Sequence, residues 1–190
     1  MESATATEKH SPVLRYLAHI VSVVFHPLFI SSYVTAFLVY IHPYAFAGLD
    51  AKLRMFRVIM VFFNTAFIPG FAVFLMWRLG LIKSIFLRTQ QERIIPYVAA
   101  MICYFWAWLV TKNHPDNPVY FVDFMQGAFF AVCAAWMLNI YTKVSMHTIA
   151  LGGAITFFVI QAFDPFYSTG YFLALAFLLA AIVVFPSLCE

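Results

Sequence analysis

Six stretches of the chain are apolar over long runs: residues near 17–41, 56–77, 95–110, 119–140, 147–163 and 170–188, each bounded by polar or turn-forming residues. A helix crossing hydrocarbon needs roughly 17–25 mostly apolar residues. The third and fifth stretches sit at or below that limit, so they should run into their flanks, tilt little, or rest against neighbouring helices. The pattern predicts an all-α integral membrane helical bundle of about six transmembrane helices. It forms a single transmembrane domain over 1–190, with a polar tail over 1–12 and no internal repeat or low-complexity tract. The first apolar stretch exceeds a signal-peptide core and is not closed by a small-x-small site, which predicts a retained anchor.

Between the spans, "IHPYAFAGLDAKLR" and "TKNHPDNP" are turn-rich, whereas "RLGLIKSIFLRTQQERIIPY" is a basic linker. Composition agrees with the membrane reading: 64% of the 190 residues are hydrophobic and 10% charged, against about 25% charged in soluble domains. Eleven Lys and Arg against eight Asp and Glu give a formal +3, too little to argue for a nucleic-acid partner and in keeping with basic loops near lipid headgroups. Cys103 and Cys133 lie in apolar runs and, with Cys189, make an odd number; neither a disulfide nor a metal site is expected from them.

Counting crossings puts the basic linker, after the second span, and "YTKVSMHTIALGG", after the fourth, on one side of the membrane. That side and the N-terminus hold seven cations, Lys9, Arg15, Arg78, Lys83, Arg88, Arg93 and Lys143; the other holds four, Lys52, Arg54, Arg57 and Lys112. The excess would mark the first side as cytoplasmic. Setting Arg88, Arg93 and Lys143 aside as ligand-binding residues evens the tally.

The same two segments carry the candidate chemistry. In "LRTQQERIIPY", Arg88 and Arg93 lie five apart and Pro96 is expected to open the third helix, fixing Arg93 at the interface. Guanidinium groups bind phosphate oxygens in pairs; the plain alternative is that they reach for headgroups as membrane-edge arginines do. Ser145 is a candidate N-cap for the fifth span, which would turn backbone N–H groups and the positive end of the helix dipole outward. Lys143 adds a point charge, and His147 is a candidate general acid near neutral pH. Gly152 and Gly153 are read as points where another backbone comes close. His19 and His26 lie seven apart in the first span, but no second matched pair exists for haem. His26-Pro27 reads as a kink, Asn64 and Asn139 as interhelical hydrogen-bond formers, and His10, His42 and His114 as loop or interface residues.

"ERIIPY" followed about fifty residues later by "KVSMHT", with His26, Pro27 and Leu28 in the first span, resembles the type-2 phosphatidic acid phosphatase superfamily, in particular its short bacterial membrane members. The likeness runs from about residue 20 to 160. It implies a helical bundle, in the inner membrane of a bacterium, that removes phosphate from a lipid phosphate or polyprenyl diphosphate through a phosphohistidine, with no metal or other cofactor. Residue by residue it assigns phosphate binding to Arg93 and Ser145 and the acid role to His147; Arg88 and Lys143 join by charge and proximity, since the family's lysine falls at Phe86. Ile94 follows Arg93 where the family has proline, and Val144 and Met146 replace proline and glycine. The family's third block, which supplies the nucleophilic histidine and its aspartate, has no counterpart: no histidine follows His147. The chain returns to the right face near Leu188 and stops in "FPSLCE", so the expectation divides between truncation ahead of the nucleophile and a member that has lost catalysis. Asp164 falls on the opposite face and reads as a turn former. A non-catalytic protein that binds or transports an anionic lipid is the rival reading.

Overall fold

A computed structural model of the chain describes residues 20, 23–42, 44–84, 89–142, 145–163, 172–178 and 180. Arg88, Lys143, Phe86 and Asp164 lie outside the described residues. The elements are α1 (Pro27–Tyr40), α2 (Ala51–Phe62), a π-helical turn (Phe63–Phe67), α3 (Ile68–Arg78), α4 (Gln90–Lys112), α5 (Val119–Tyr141) and α6 (Met146–Ala162); residues 172–178 are also helical. Among the described residues the chain is all-helical. Three continuous helices, Ala51–Arg78, Gln90–Lys112 and Val119–Tyr141, are long and apolar enough to cross a membrane, and Pro27–Tyr40 and Met146–Ala162 are shorter apolar helices. These three mark the chain as a membrane protein. The rings of Phe63, Phe67, Phe71, Phe74 and Trp77 pack in series, with centroids 4.5–6.3 Å apart. All five stand exposed on the outer face of the Ala51–Arg78 helix, where hydrocarbon would cover them.

Each helix begins and bends where its sequence requires. His26 occupies the N-cap of α1 with Pro27 at the first helical position, and its Nδ1 accepts the Leu28 N–H at 3.4 Å. Proline has no N–H to lose there, so His26-Pro27 restarts a helix rather than merely kinking one. In the second span, Pro69 offers nothing to the carbonyl a turn earlier, and the helix widens into the π turn, where the Ile68 N–H reaches Phe63 O. Asn64 Nδ2 donates to Met60 O at 2.8 Å and Thr65 Oγ1 to Val61 O at 2.9 Å. Asn64 therefore serves its own helix, not a neighbour as the sequence reading expected.

The third span starts earlier than Pro96. Thr89 and Glu92 form a capping box, Glu92 N–H donating to Thr89 Oγ1 at 3.2 Å and Thr89 N–H to Glu92 Oε2 at 3.3 Å. This reciprocal pair satisfies two N–H groups, so α4 opens at Gln90 and contains Pro96 within it. The span expected over 95–110 thereby becomes Gln90–Lys112, comfortably of membrane length.

The connections alternate the helices end to end. At one end, buried Arg57 of α2 meets the α4–α5 loop: its guanidinium hydrogen-bonds Asn117 Oδ1, lies 3.0 Å from His114 Nδ1 and sits 6.0 Å above the Phe46 ring. Asp116 is 3.9 Å away and 63% exposed, so that ion pair contributes under about 1 kcal/mol; Asn117, His114 and the Phe46 ring hold the group. At the other end, Asn139 Nδ2 near the finish of α5 donates to Gln90 O at the start of α4, 3.2 Å apart, an interhelical bond as expected. The Ala51–Arg78 helix finishes at this same end in a Schellman turn: Leu81 N–H donates to Met76 O at 2.9 Å and Gly80 N–H to Trp77 O at 3.1 Å, with Gly80 at φ +75°. A Cβ at Gly80 would touch nothing within 4 Å, leaving only the left-handed backbone cost of about 1–2 kcal/mol. Gly80→Ala should lower stability by that amount in a detergent or nanodisc melt; an unchanged midpoint would contradict this turn.

Candidate functional site

The described candidates lie at the end where α1, α4 and α6 begin and α3 and α5 finish. His26, at the N-cap of α1, and His147, in the first turn of α6, place their rings in contact: centroids 5.6 Å apart, planes at 79°. Residues 121 positions apart in the sequence thus share one spot. His26 is exposed on the protein surface and His147 half-buried. Ser145 takes the N-cap position of α6, as its sequence predicts, but its side chain makes no capping hydrogen bond. The first-turn N–H groups of α6 therefore lack the side-chain acceptor that such a serine usually provides.

Arg93 lies in the first turns of α4, half-buried, with its charge acting on the Tyr97 phenol. The Asn139–Gln90 bond sets this start of α4 beside the end of α5, and α6 begins a few residues further on. Arg93, Ser145 and His147 are thus on one face, as crossing counts require. The residue that meets His147 ring to ring is His26, which the sequence reading took for a kink.

The hydrogen bonding of His26 decides its chemistry. An imidazole nitrogen that accepts an N–H is unprotonated, so a neutral His26 with Nδ1 bound to the Leu28 N–H keeps its proton on Nε2. In that tautomer the free edge of the ring donates. It suits an anion's oxygen and not a nucleophile's role, for which the lone pair must be on the exposed nitrogen. Among the described residues no three His, Cys, Asp or Glu side chains come together as a metal would need.

Behind the pair lies a cavity of about 380 Å³ bounded by α1, α4, α5 and α6. Pro27, Leu28 and Met146, the neighbours of the two histidines, form one end of it; Asp123 and Gln161 lie toward the other. Ser31 Oγ donates to Tyr104 OH in its wall at 3.5 Å. Asp123, Gly127, Gly153, Thr156 and Ile160 along it are exposed, so the space is a groove open along the faces of α5 and α6.

The glycines bear on that space. Gly152 and Gly153 were expected where another backbone approaches, yet a Cβ on either would meet nothing within 4 Å, and the same holds at Gly127. A mid-helix glycine costs about 0.5–1 kcal/mol relative to alanine and here gains no close packing in return. Gly127 and Gly153 line the cavity instead.

Arg57 is the polar group that sequence reading passed over. It stood only in a count of charges, while burial and the His114–Asn117 loop make it the anchor of the opposite end. A buried arginine a few residues into a span is itself the available signal.

No family model, no curated protein and no solved structure matches the chain. The likeness to the phosphatase superfamily therefore rests on the blocks quoted above.

The tautomer is open to direct observation. In ¹⁵N-histidine-labelled protein, the couplings of His26 should report an Nε2–H ring with Nδ1 unprotonated near neutral pH, and His26→Ala should destabilise the protein by about 1 kcal/mol through loss of the cap. A proton on Nδ1 would contradict the hydrogen-bond assignment.

Proposed function

We propose that this chain is a six-span membrane protein, of the inner membrane in a bacterium, that binds a phosphate-bearing lipid at the end carrying His26, Arg93, Ser145 and His147. The observation that carries the reading is the contact of His26 with His147 beside one end of an apolar cavity between the helices. A lipid phosphate is an anion attached to a hydrocarbon, and this end offers the matching parts. The His26 Nε2–H, the His147 imidazole, the Arg93 guanidinium and the first-turn N–H groups of α6 are donors for oxygens, and Arg88 and Lys143 are the further cations that the sequence offers in the flanking segments. The first-span and sixth-span assignments follow from the apolar stretches around α1 and residues 172–178. The shared face of α1, α4 and α6 starts is what an even count of crossings between them requires.

Binding without turnover is the form this site supports best, because the Nδ1 of His26 is taken by a backbone N–H. A second reading, hydrolysis as in the superfamily the sequence resembles, is favoured by one specific observation: His26 places a second imidazole against His147 where the third sequence block is missing. In that route His26 Nε2 attacks phosphorus, the P–O bond to the lipid alcohol breaks as the N–P bond forms, and His147 gives its proton to the departing oxygen. Water then cleaves the N–P bond, losing its proton to His147, and inorganic phosphate leaves. The step obliges His26 to move its ring proton to Nδ1 and give up the Leu28 bond.

Purified protein in nanodiscs separates these readings. Phosphatidic acid should bind, and His147→Ala and Arg93→Ala should each weaken it roughly tenfold or more, the size of a lost hydrogen bond to a charged group, about 1.5–3 kcal/mol. No inorganic phosphate should appear. Phosphate release that disappears in both His26→Ala and His147→Ala would replace the binding reading with the hydrolytic one, and unchanged affinity in both binding variants would return these side chains to ordinary headgroup contacts.

A further inference from the structure

The cavity behind the histidine pair has a shape and a lining that name the rest of the ligand. It follows α6 from Met146 to Gln161, fifteen steps along the helix, which at 1.5 Å per step is about 22 Å, roughly the reach of an extended chain of sixteen to eighteen carbons. Its walls are mostly apolar. The hydroxyls along it are engaged locally, Ser31 with Tyr104 and Thr156 Oγ1 with Gly152 O at 2.8 Å, so an occupant along the middle needs no polar groups. Toward the far end Asp123 and Gln161 interrupt the apolar surface, where a hydrocarbon should stop.

Gly127 on α5 and Gly153 on α6 hold the space open. Both face the cavity and both leave room where a Cβ would stand; since neither lets a backbone approach, the volume each vacates is available to a ligand. One end reaches Pro27, Leu28 and Met146, the chain neighbours of His26 and His147, so anion donors and apolar slot lie side by side, head beside tail.

We propose that one hydrocarbon chain of a phosphate-bearing lipid lies inside this cavity, between α5 and α6, with Gly127 and Gly153 setting the room available and the Asp123–Gln161 end setting the longest chain accepted. This rests on the reading that the histidine end binds the phosphate. The protein would then select by chain length and would favour a single-chain phosphate, or one chain of a larger lipid, over a headgroup alone.

The experiment uses full-length protein in phosphatidylcholine nanodiscs titrated with n-alkyl phosphates from four to twenty carbons, with the matching n-alkanols and inorganic phosphate alongside. Affinity for the alkyl phosphates should climb with length and level off or fall beyond roughly sixteen to eighteen carbons, the length given above. Gly127→Leu and Gly153→Leu should each weaken the sixteen-carbon compound tenfold or more and leave butyl phosphate unchanged. Gly153→Ala, whose Cβ enters open space, keeps the helix and should give a smaller shift in the same direction. Because partition into the bilayer rises with length for every variant alike, the decisive quantity is the ratio of wild type to leucine variant at each length. A ratio independent of length places the chain outside the cavity and overturns the proposal. If alkanols bind with the same length profile and leucine sensitivity while His147→Ala changes nothing, the chain chamber stands and the phosphate reading falls. If leucine variants fail to fold, the alanine variant's ratio across lengths decides.

Discussion

The contact between the imidazoles of His26 and His147 depends on two helix starts reaching the same point. Pro27 sets the first of these by restarting α1 directly after His26, whose own ring caps it. Ser145 sets the second, so that His147 falls in the opening turn of α6. Move either start by a residue and the side chain turns about 100° around its helix, since 3.6 residues make a turn. The place of the two imidazoles beside the end of the cavity formed by Pro27, Leu28 and Met146 follows from that registration. Asn139 supplies the link to α4, fastening the end of α5 to Gln90 from a buried position.

Along the helices several polar side chains meet the demand that hydrocarbon makes of them, which is to be satisfied from within the protein. Asn64, Thr65, Thr111 and Thr156 all turn back on carbonyls of their own helices at 2.8–2.9 Å. The π turn before Pro69 is the same economy applied to the backbone. Arg57 extends it to a charge: set against Asn117, His114 and the Phe46 ring, it ties the opposite loops together. The two ends of the bundle therefore differ in character. One is closed by a buried guanidinium among its loop partners, the other brings two histidines together beside an apolar space.

Sequence patterning carries much of this and stops at identifiable places. Apolar length alone locates α5 and α6 to within a residue or so, since sharp polar breaks at Pro118 and Ser145 bound them. It misplaces the start of α4, because a proline in the first turn is a weaker signal than the capping box in Thr89–Glu92, which was present in "TQQE" and outranks it. It begins the second span late, at 56 rather than Ala51, since Lys52, Arg54 and Arg57 interrupt the apolar run although Arg57 is buried. The face shared by Arg93, Ser145 and His147 is legible by counting crossings. The meeting of His26 with His147 is not, because it depends on the rotation of two helices, which no local pattern encodes. Gly152 and Gly153 fail for a related reason: a glycine looks alike in sequence whether it admits a neighbour or leaves a space, and here it leaves a space.

Cross-linking tests the meeting of these two helix starts most directly. With the native cysteines replaced, His26→Cys/His147→Cys protein in native membranes should link within one chain under mild oxidation or a short bifunctional thiol reagent, and a membrane-impermeant label applied from one side should reach positions 26, 93 and 147 alike. Cysteines that stay unlinked, or that are labelled from opposite faces, would contradict the site at its foundation.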